Sequence, residues 1–357
     1  WDMFCGREGA IWQGQTGDVA CDHYHRWRED VAIMKRIGLR AYRFSISWPR
    51  VMPAGAGAVN PAGLAFYDRL VDALLKAGVE PYVTLFHWDL PLALHHRGGW
   101  LNADSPRWFA DYAAAVADRL SDRVRHWITF NEPQVFVRYG YEVGDHAPGQ
   151  RHARRELMRI VHHVLLAHGR GVQALRSHAK SAIRVGFAPA GTVYAPATSA
   201  PEDLAAALSM MWTTTDMHLG ANTLWLDPVF KGAYPEEGLR VLGADAPPIQ
   251  SGDLAVISQP LDFFGTNIYQ SYPIRAGKDG KPEVAPPPMG YAQTGMGWSI
   301  TPEALYWGPK FCWERYHLPI IITENGTACM DWPALDGRVH DPQRIMHPSV
   351  ERGPVHA

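Results

Sequence analysis

The feature that most constrains this chain is an alternation of short apolar, β-branched runs with longer amphipathic stretches. The strand-like run "AYRFSISW" (41–48) is followed by the helix candidate "GLAFYDRLVDALLKAG" (63–78), and "PYVTLFHWD" (81–89) by "SPRWFADYAAAVADRLSD" (105–122). Then come "HWITFNEP" (126–133), the long helical pattern 154–179, and "IRVGFAPA" (183–190). Two later strand candidates are "LDFFGTNIYQS" (261–271) and "LPIIITENG" (318–326). Each strand–helix pair has the spacing of a βα unit, and helices end at glycine before the next strand, as at "KAGVEPYVTL".

Repeated βα units bury both faces of a parallel sheet. At 357 residues, with 46% hydrophobic residues and 14 Trp, the chain can fill one large core. The expected fold is a (β/α)8 (TIM) barrel, incomplete, with six of eight strands recognisable. One strand is expected before residue 1 and one after Glu324. The Pro/Gly-rich segment 272–297 reads as a long βα loop over the top of the barrel. The expected organisation is one barrel domain over 1–345, truncated at both ends, and a non-matching tail over 346–357. No GxGxxG or GxxxxGK[ST] follows any strand, which argues against a nucleotide cofactor.

Composition removes several function classes. A net charge of −2 with mixed signs gives no footprint for nucleic acid or an anionic membrane. No apolar run approaches the ~20 residues needed to span a bilayer. Cys5, Cys21, Cys312 and Cys329 are far apart and form neither a CxxC pair nor a disulfide framework. The opening "WDMFCGREG" looks like neither a signal peptide nor a natural start. A cytoplasmic protein is expected, with secretion left open because the start reads as internal.

The C-terminal ends of barrel strands converge on one pocket. Here they carry Arg43 and Trp48; His87, Trp88 and Asp89; Asn131 and Glu132; Asn267 and Tyr269; and Glu324 and Asn325. Two of the runs, "ITFNEP" (128–133) and "IIITENG" (320–326), end in a carboxylate, which is costly at a strand tip unless it is paired or used. Amides, an Arg, a His and several aromatic rings beside two carboxylates suit a sugar, with polar partners for hydroxyls and flat faces for the ring. Two carboxyl groups flanking a glycosidic bond can divide the labour into proton donor and nucleophile. No His or Cys triad competes for a metal. "DHYH" (22–25) contains an HxH but precedes a helix rather than ending a strand, and the His pair 162–163 lies inside a helix. All four are expected to be structural.

In order, "AYRFSISWPR", "LFHWDLP", "TFNEP", "GTNIYQS" and "ITENG" resemble glycoside hydrolase family one, the β-glucosidase family, from about residue 1 to about residue 340. The resemblance implies a retaining β-glycosidase without metal or cofactor, acting on a small β-glucoside or short oligosaccharide. It assigns the acid/base to Glu132 and the nucleophile to Glu324. It places His87, Trp88 and Asn131 around the sugar, matches Arg43 and Tyr269 to positions that hold the nucleophile ionised, and matches Trp298 to an aglycone-side aromatic. Asn267 is left outside this core set. The family's first strand carries a sugar-binding Gln and its last a Trp and a Glu, and none of these has a counterpart here. Two alternatives stay open: a phospho-β-glycosidase of the same family, and a non-catalytic or degenerate sugar-binding fragment.

Overall fold

A computed structural model describes residues 1–345 except 288 and 330. The proposed tail, 346–357, lies outside the described residues. The strands are β1 (Ala41–Ser45), β2 (Glu80–Phe86), β3 (His126–Asn131), β4 (Arg184–Ala188), β5 (Val193–Pro196), β6 (Phe263–Asn267), β7 (Ser271–Ala276), β8 (Pro282–Val284) and β9 (Ile320–Glu324). Six of them form one parallel sheet in the order β1-β2-β3-β4-β6-β9. These are the six strands expected from the sequence, each shorter than its apolar run.

The helices between them follow local chemistry. Pro61–Lys76 starts with Pro in its first turn, and Asn60 caps it by accepting from the Ala62 N–H at 3.2 Å. Its apolar stripe buries Phe66, Leu70, Val71 and Leu74 against the sheet. Each such side chain contributes about 1.5–3 kcal/mol relative to exposure. Ser105–Leu120 and Arg154–His178 pack on each other closely enough that a Cβ at Gly171 would lie 2.6 Å from the Phe109 ring. Glycine is therefore required there for close approach.

The sheet is curled. Its first and last strands are not paired with each other, yet the Arg43 guanidinium on β1 donates to Glu324 Oε1 (2.6 Å) and to the Thr323 carbonyl (3.3 Å) on β9. One arginine side chain thus spans the opening of an incomplete barrel. Both edge strands are more exposed than β2, β3 and β4, and Ile322 on β9 is 38% exposed.

The segment expected to be one long loop is more ordered than its Pro/Gly content implies. Its first part forms β7, which pairs in parallel with β5 and turns into an antiparallel hairpin with β8. Helix Pro201–Met211 covers this small sheet through Ala206, Ala207 and Ile274, and Asp203 accepts from the Ala276 N–H at 2.9 Å. The run 261–271 is likewise divided: β6 stops at Asn267, and Ser271 already belongs to the second sheet. Among the described residues no helix is long and apolar enough to cross a membrane.

Candidate active site

The strands β2, β3, β6 and β9 deliver their last residues to one place. The backbone turns abruptly there: Trp88, two residues after β2, has φ 78°, and Glu132, the residue after β3, has φ 43°. Neither is glycine. Left-handed backbone at such residues costs on the order of 1–3 kcal/mol and persists where the surrounding structure dictates it. Glu132 is further disfavoured because Pro133 follows and steers its predecessor toward extended conformation. Pro133 also opens the helix Pro133–Val137, so β3 must become a helix within one residue. That turn fixes where the Glu132 carboxyl points.

Asn131, fully buried, is the hub. Its Oδ1 accepts from Arg43 Nη2 at 2.6 Å and from Asn267 Nδ2 at 3.0 Å. Its Nδ2 donates to His87 Nε2 at 3.1 Å, and its carbonyl accepts from the Trp88 indole N–H at 3.0 Å. Asn267 Nδ2 also donates to Glu132 Oε1 at 2.9 Å, while its Oδ1 accepts from the Thr323 hydroxyl at 2.6 Å. On the other side, Glu324 is held at both oxygens, by Arg43 at Oε1 (2.6 Å) and by the Tyr269 hydroxyl at Oε2 (2.5 Å). The two carboxylates are therefore tied into one lattice through Arg43, Asn131 and Asn267.

Their environments differ. Glu132 is buried, and burial first, then the charge of Glu324, pushes its carboxyl up to about 7 against the opposing Asn267 bond and Arg43 charge. Glu324 is more open, with 25% of its side chain exposed, and carries a charged pair. Burial and the neighbouring Glu324 carboxylate raise the Tyr269 phenol, which stays a proton donor. Burial, reinforced by the Arg43 charge, drives His87 down to about 4. A neutral His87 that accepts at Nε2 carries its proton on Nδ1, which has no protein partner among the described residues.

Asn267 gives a direct test of these electrostatics. Its N–H bond favours the charged form of Glu132, so Asn267→Ala should raise the Glu132 carboxyl further. If activity needs Glu132 protonated, the alkaline limb of the kcat/KM–pH profile moves upward from about 7 in this variant. A limb that stays in place or moves down would show that Asn267 does not control that carboxyl.

Arg43, His87, Trp88, Asn131, Glu132, Tyr269 and Glu324 gather here, and Trp298 stands one ring further out; of the other strand-end residues, Trp48 is buried in the core stacked on Tyr112, Asp89 lines a separate cavity, and Asn325 donates to the Ile268 carbonyl at 2.9 Å. Trp298 packs on Tyr269 with ring centroids 5.6 Å apart, on the outer side of Glu324's phenol partner. The Trp88 indole N–H is committed to Asn131, which leaves its ring rather than its N–H for a ligand. Asn267, left out of the core set, is central and corrects that reading. The four histidines set aside have other work: His23 bonds Asp30 at 2.6 Å, His25 bonds Asp22 at 2.6 Å, His162 sits between Tyr234 and Asp253, and His163 bonds the Trp100 carbonyl. Among the described residues no cluster of His, Cys, Asp and Glu could hold a metal ion, and the four cysteines are unpaired thiols.

Comparison with known proteins accords with this geometry. The Glycosyl hydrolase family 1 model matches residues 1–349. A β-glucosidase A of Thermotoga maritima is 41% identical over 97% of this chain and 76% of its own length. A β-glucosidase of Agrobacterium sp. is also 41% identical, over 97% of this chain and 74% of its own. The solved structure of the Thermotoga maritima β-glucosidase in complex with glucoimidazole superposes with a TM-score of 0.87 at 40% identity, covering 98% of this chain and 78% of that one. Motif order, strand-end lattice and family match lead to one statement: the chain belongs to glycosyl hydrolase family 1.

Proposed function

We propose that this chain hydrolyses terminal β-D-glucosides with retention of configuration, as one catalytic unit over residues 1–345. The observation that carries this reading is the contrast between two linked carboxyl groups. Glu132 is raised to about 7 by burial, whereas Glu324 is clamped by an arginine and a phenol. Such a pair suits double displacement. Glu324 attacks the anomeric carbon, the bond to the leaving oxygen breaks, and protonated Glu132 delivers its proton to that oxygen. Glu132, now ionised, takes a proton from water, whose oxygen displaces Glu324 and regenerates both groups. His87 lines the same cavity as Glu324, and its free N–H supplies a partner for a sugar hydroxyl, with Asn131 fixing the ring from behind. The ring of Trp88 offers an apolar face. Glucose as the glycone is supported by the relatives, which carry the name β-glucosidase.

The test is the configuration of the first product. Proton NMR of 4-nitrophenyl β-D-glucoside hydrolysis should show β-glucose first, with α-glucose appearing only by mutarotation. α-Glucose as the first product would sink the retaining mechanism. Activity should also fall as pH rises through about 7, because the proton donor is then lost.

Tyr269 supplies a second expected result. Its hydroxyl fixes Glu324 Oε2, and a hydrogen bond to a charged group is worth about 1.5–3 kcal/mol. Tyr269→Phe should therefore lower kcat by roughly 10- to 100-fold, measured on an aryl glucoside. An unchanged kcat would remove Tyr269 from the positioning of the nucleophile.

A further inference from the structure

Thr323 precedes the nucleophile on β9, and the mechanism above gives it no part. The pairing of β6 with β9 is irregular there: Thr266 stands opposite Ile322 and Asn267 opposite Glu324, so Thr323 has no partner residue on β6. In a regular strand consecutive side chains point to opposite faces. An extra residue re-aims them, and such irregularities gather beside active sites. Here Thr323 and Glu324, though consecutive, both serve the catalytic lattice. The Thr323 hydroxyl reaches Asn267 Oδ1 at 2.6 Å, and the Glu324 carboxylate reaches Arg43 and Tyr269.

The direction of each bond in this lattice is fixed from one end. A guanidinium only donates, so Asn131 Oδ1, 2.6 Å from Arg43 Nη2, is an acceptor. The Asn267 atom 3.0 Å from that oxygen is then its amide nitrogen, whose other hydrogen meets Glu132 Oε1 at 2.9 Å. Both side-chain N–H groups of Asn267 are thereby spent. Its Oδ1, in a residue only 2% exposed, is left for the Thr323 hydroxyl. Without that donor it would be a buried acceptor lacking a partner, which costs roughly 1–3 kcal/mol. Thr323 is itself held. Its carbonyl accepts from Arg43 Nη1 at 3.3 Å, and its methyl sits where a Cβ on Gly265 would lie only 3.1 Å away. A β-branched side chain has little χ1 freedom, so the seated methyl sets the direction of the hydroxyl.

We propose that Thr323 is a positioning residue for the acid/base: its hydroxyl locks the Asn267 amide with the nitrogen toward Glu132, which keeps Oε1 an acceptor and leaves the transferable proton on Oε2. Delivery of that proton to the leaving oxygen rests on the double displacement proposed above; the locked amide does not. Among the described residues no side chain bonds Oε2. In the first step the Oε2–H bond breaks as the leaving oxygen takes the proton, and in the second Oε2 regains one from the attacking water. The Asn267 bond to Oε1 stays in place through both. The charged and titratable groups facing Glu132 are Arg43 from β1, Glu324 from β9 and Tyr269 between β6 and β7, with His87 reaching it through Asn131. Thr323 carries no charge, so its hydroxyl acts on Glu132 through Asn267.

The experiment is an NMR titration of the Glu132 carboxyl in the full chain, its signal assigned by its loss in Glu132→Gln. Thr323→Val keeps the shape and removes the donor; Thr323→Ser keeps a hydroxyl. Loosening Asn267 weakens the hydrogen bond that favours ionised Glu132, so valine should raise the midpoint from about 7. Serine should raise it less. In an Asn267→Ala background, Thr323→Val should move it no further. Thr323→Val should also lower kcat/KM roughly 3- to 10-fold for a glucoside with a poor leaving group, with a smaller loss for a good one. If circular dichroism shows that valine disturbs the fold, Thr323→Ala removes the same hydroxyl. A midpoint unmoved by loss of the hydroxyl, an equal rise with serine, or the same rise without Asn267 overturns the proposal. The titration needs no turnover, so a chain that hydrolyses no glucoside would overturn the catalytic reading and leave this test standing.

Discussion

Glu324→Gly should abolish hydrolysis of β-glucosides, by a factor on the order of 10⁴–10⁶ in kcat, the scale seen when a covalent nucleophile is removed. The substitution takes away the carboxylate that Arg43 and Tyr269 hold, and it leaves a gap lined by those two donors. A small anion fits the chemistry of that gap. Azide added with an activated aryl glucoside should restore turnover, because it attacks the anomeric carbon from the vacated side while Glu132 still protonates the leaving oxygen. One displacement instead of two inverts the centre, so the product is the α-glucosyl azide. A β-configured azide from this variant would mean that Glu324 is not the attacking group. Rescue of a Glu324→Gln variant should be weaker, since the amide still fills the space.

The reasons these sites were legible are local. A run of β-branched residues favours a strand because its side chains fit a pleated, half-buried surface, and an acid at its tip stands out because a strand core has no use for one. "ITFNEP" and "IIITENG" announce themselves in this way, and so do the strand-end positions of Arg43, His87 and Asn131. Asn267 was undervalued for the opposite reason. An uncharged amide on a strand end is unremarkable until its partners are known, and those partners, Asn131 and Glu132, lie 136 and 135 positions away. The positive φ at Trp88 and Glu132 was invisible because no glycine marks it. The sheet of β5, β7 and β8 was hidden by Pro and Gly, which are depleted in strand interiors but tolerated at strand edges and turns. Its order comes from long-range pairing between residues near 193–196 and 271–276, which no window of sequence displays.

Arg43 links fold and chemistry in one side chain. It donates to Thr84 on β2, Asn131 on β3 and Glu324 on β9, so it joins the first strand of the open sheet to the last while orienting a carboxylate. Lysine cannot reproduce this, because a single ammonium lacks the planar fork that serves three acceptors in fixed directions. The curvature that brings β1 and β9 within an arginine's reach is the same curvature that lets one hydrogen-bond lattice join the two carboxyl groups. Geometry at the edge of the barrel and geometry at the site are therefore one constraint.

Glu132→Ala should give a loss that depends on the leaving group. With a poor leaving group the aglycone oxygen needs the proton that Glu132 supplies, and the rate of glycosyl transfer to Glu324 should fall by roughly 10²–10⁴-fold. With a good leaving group, such as a dinitrophenolate, little protonation is needed and that first step survives. The second step then limits turnover, because water must attack without the general base that Glu132 becomes. Glycosyl-enzyme should accumulate, visible as a burst of phenolate and as a mass increase located on Glu324. Azide needs no base, so it should speed this second step and trap the sugar as the β-glucosyl azide, retained through two inversions. The alkaline limb near 7 should also vanish from the first step, since the group whose burial sets it has been removed. Equal losses for good and poor leaving groups, or an azide product of inverted configuration, would assign the proton transfer to some other residue. The two variants thus give azide products of opposite configuration from one active site, an outcome that requires Glu324 to attack and Glu132 to shuttle the proton.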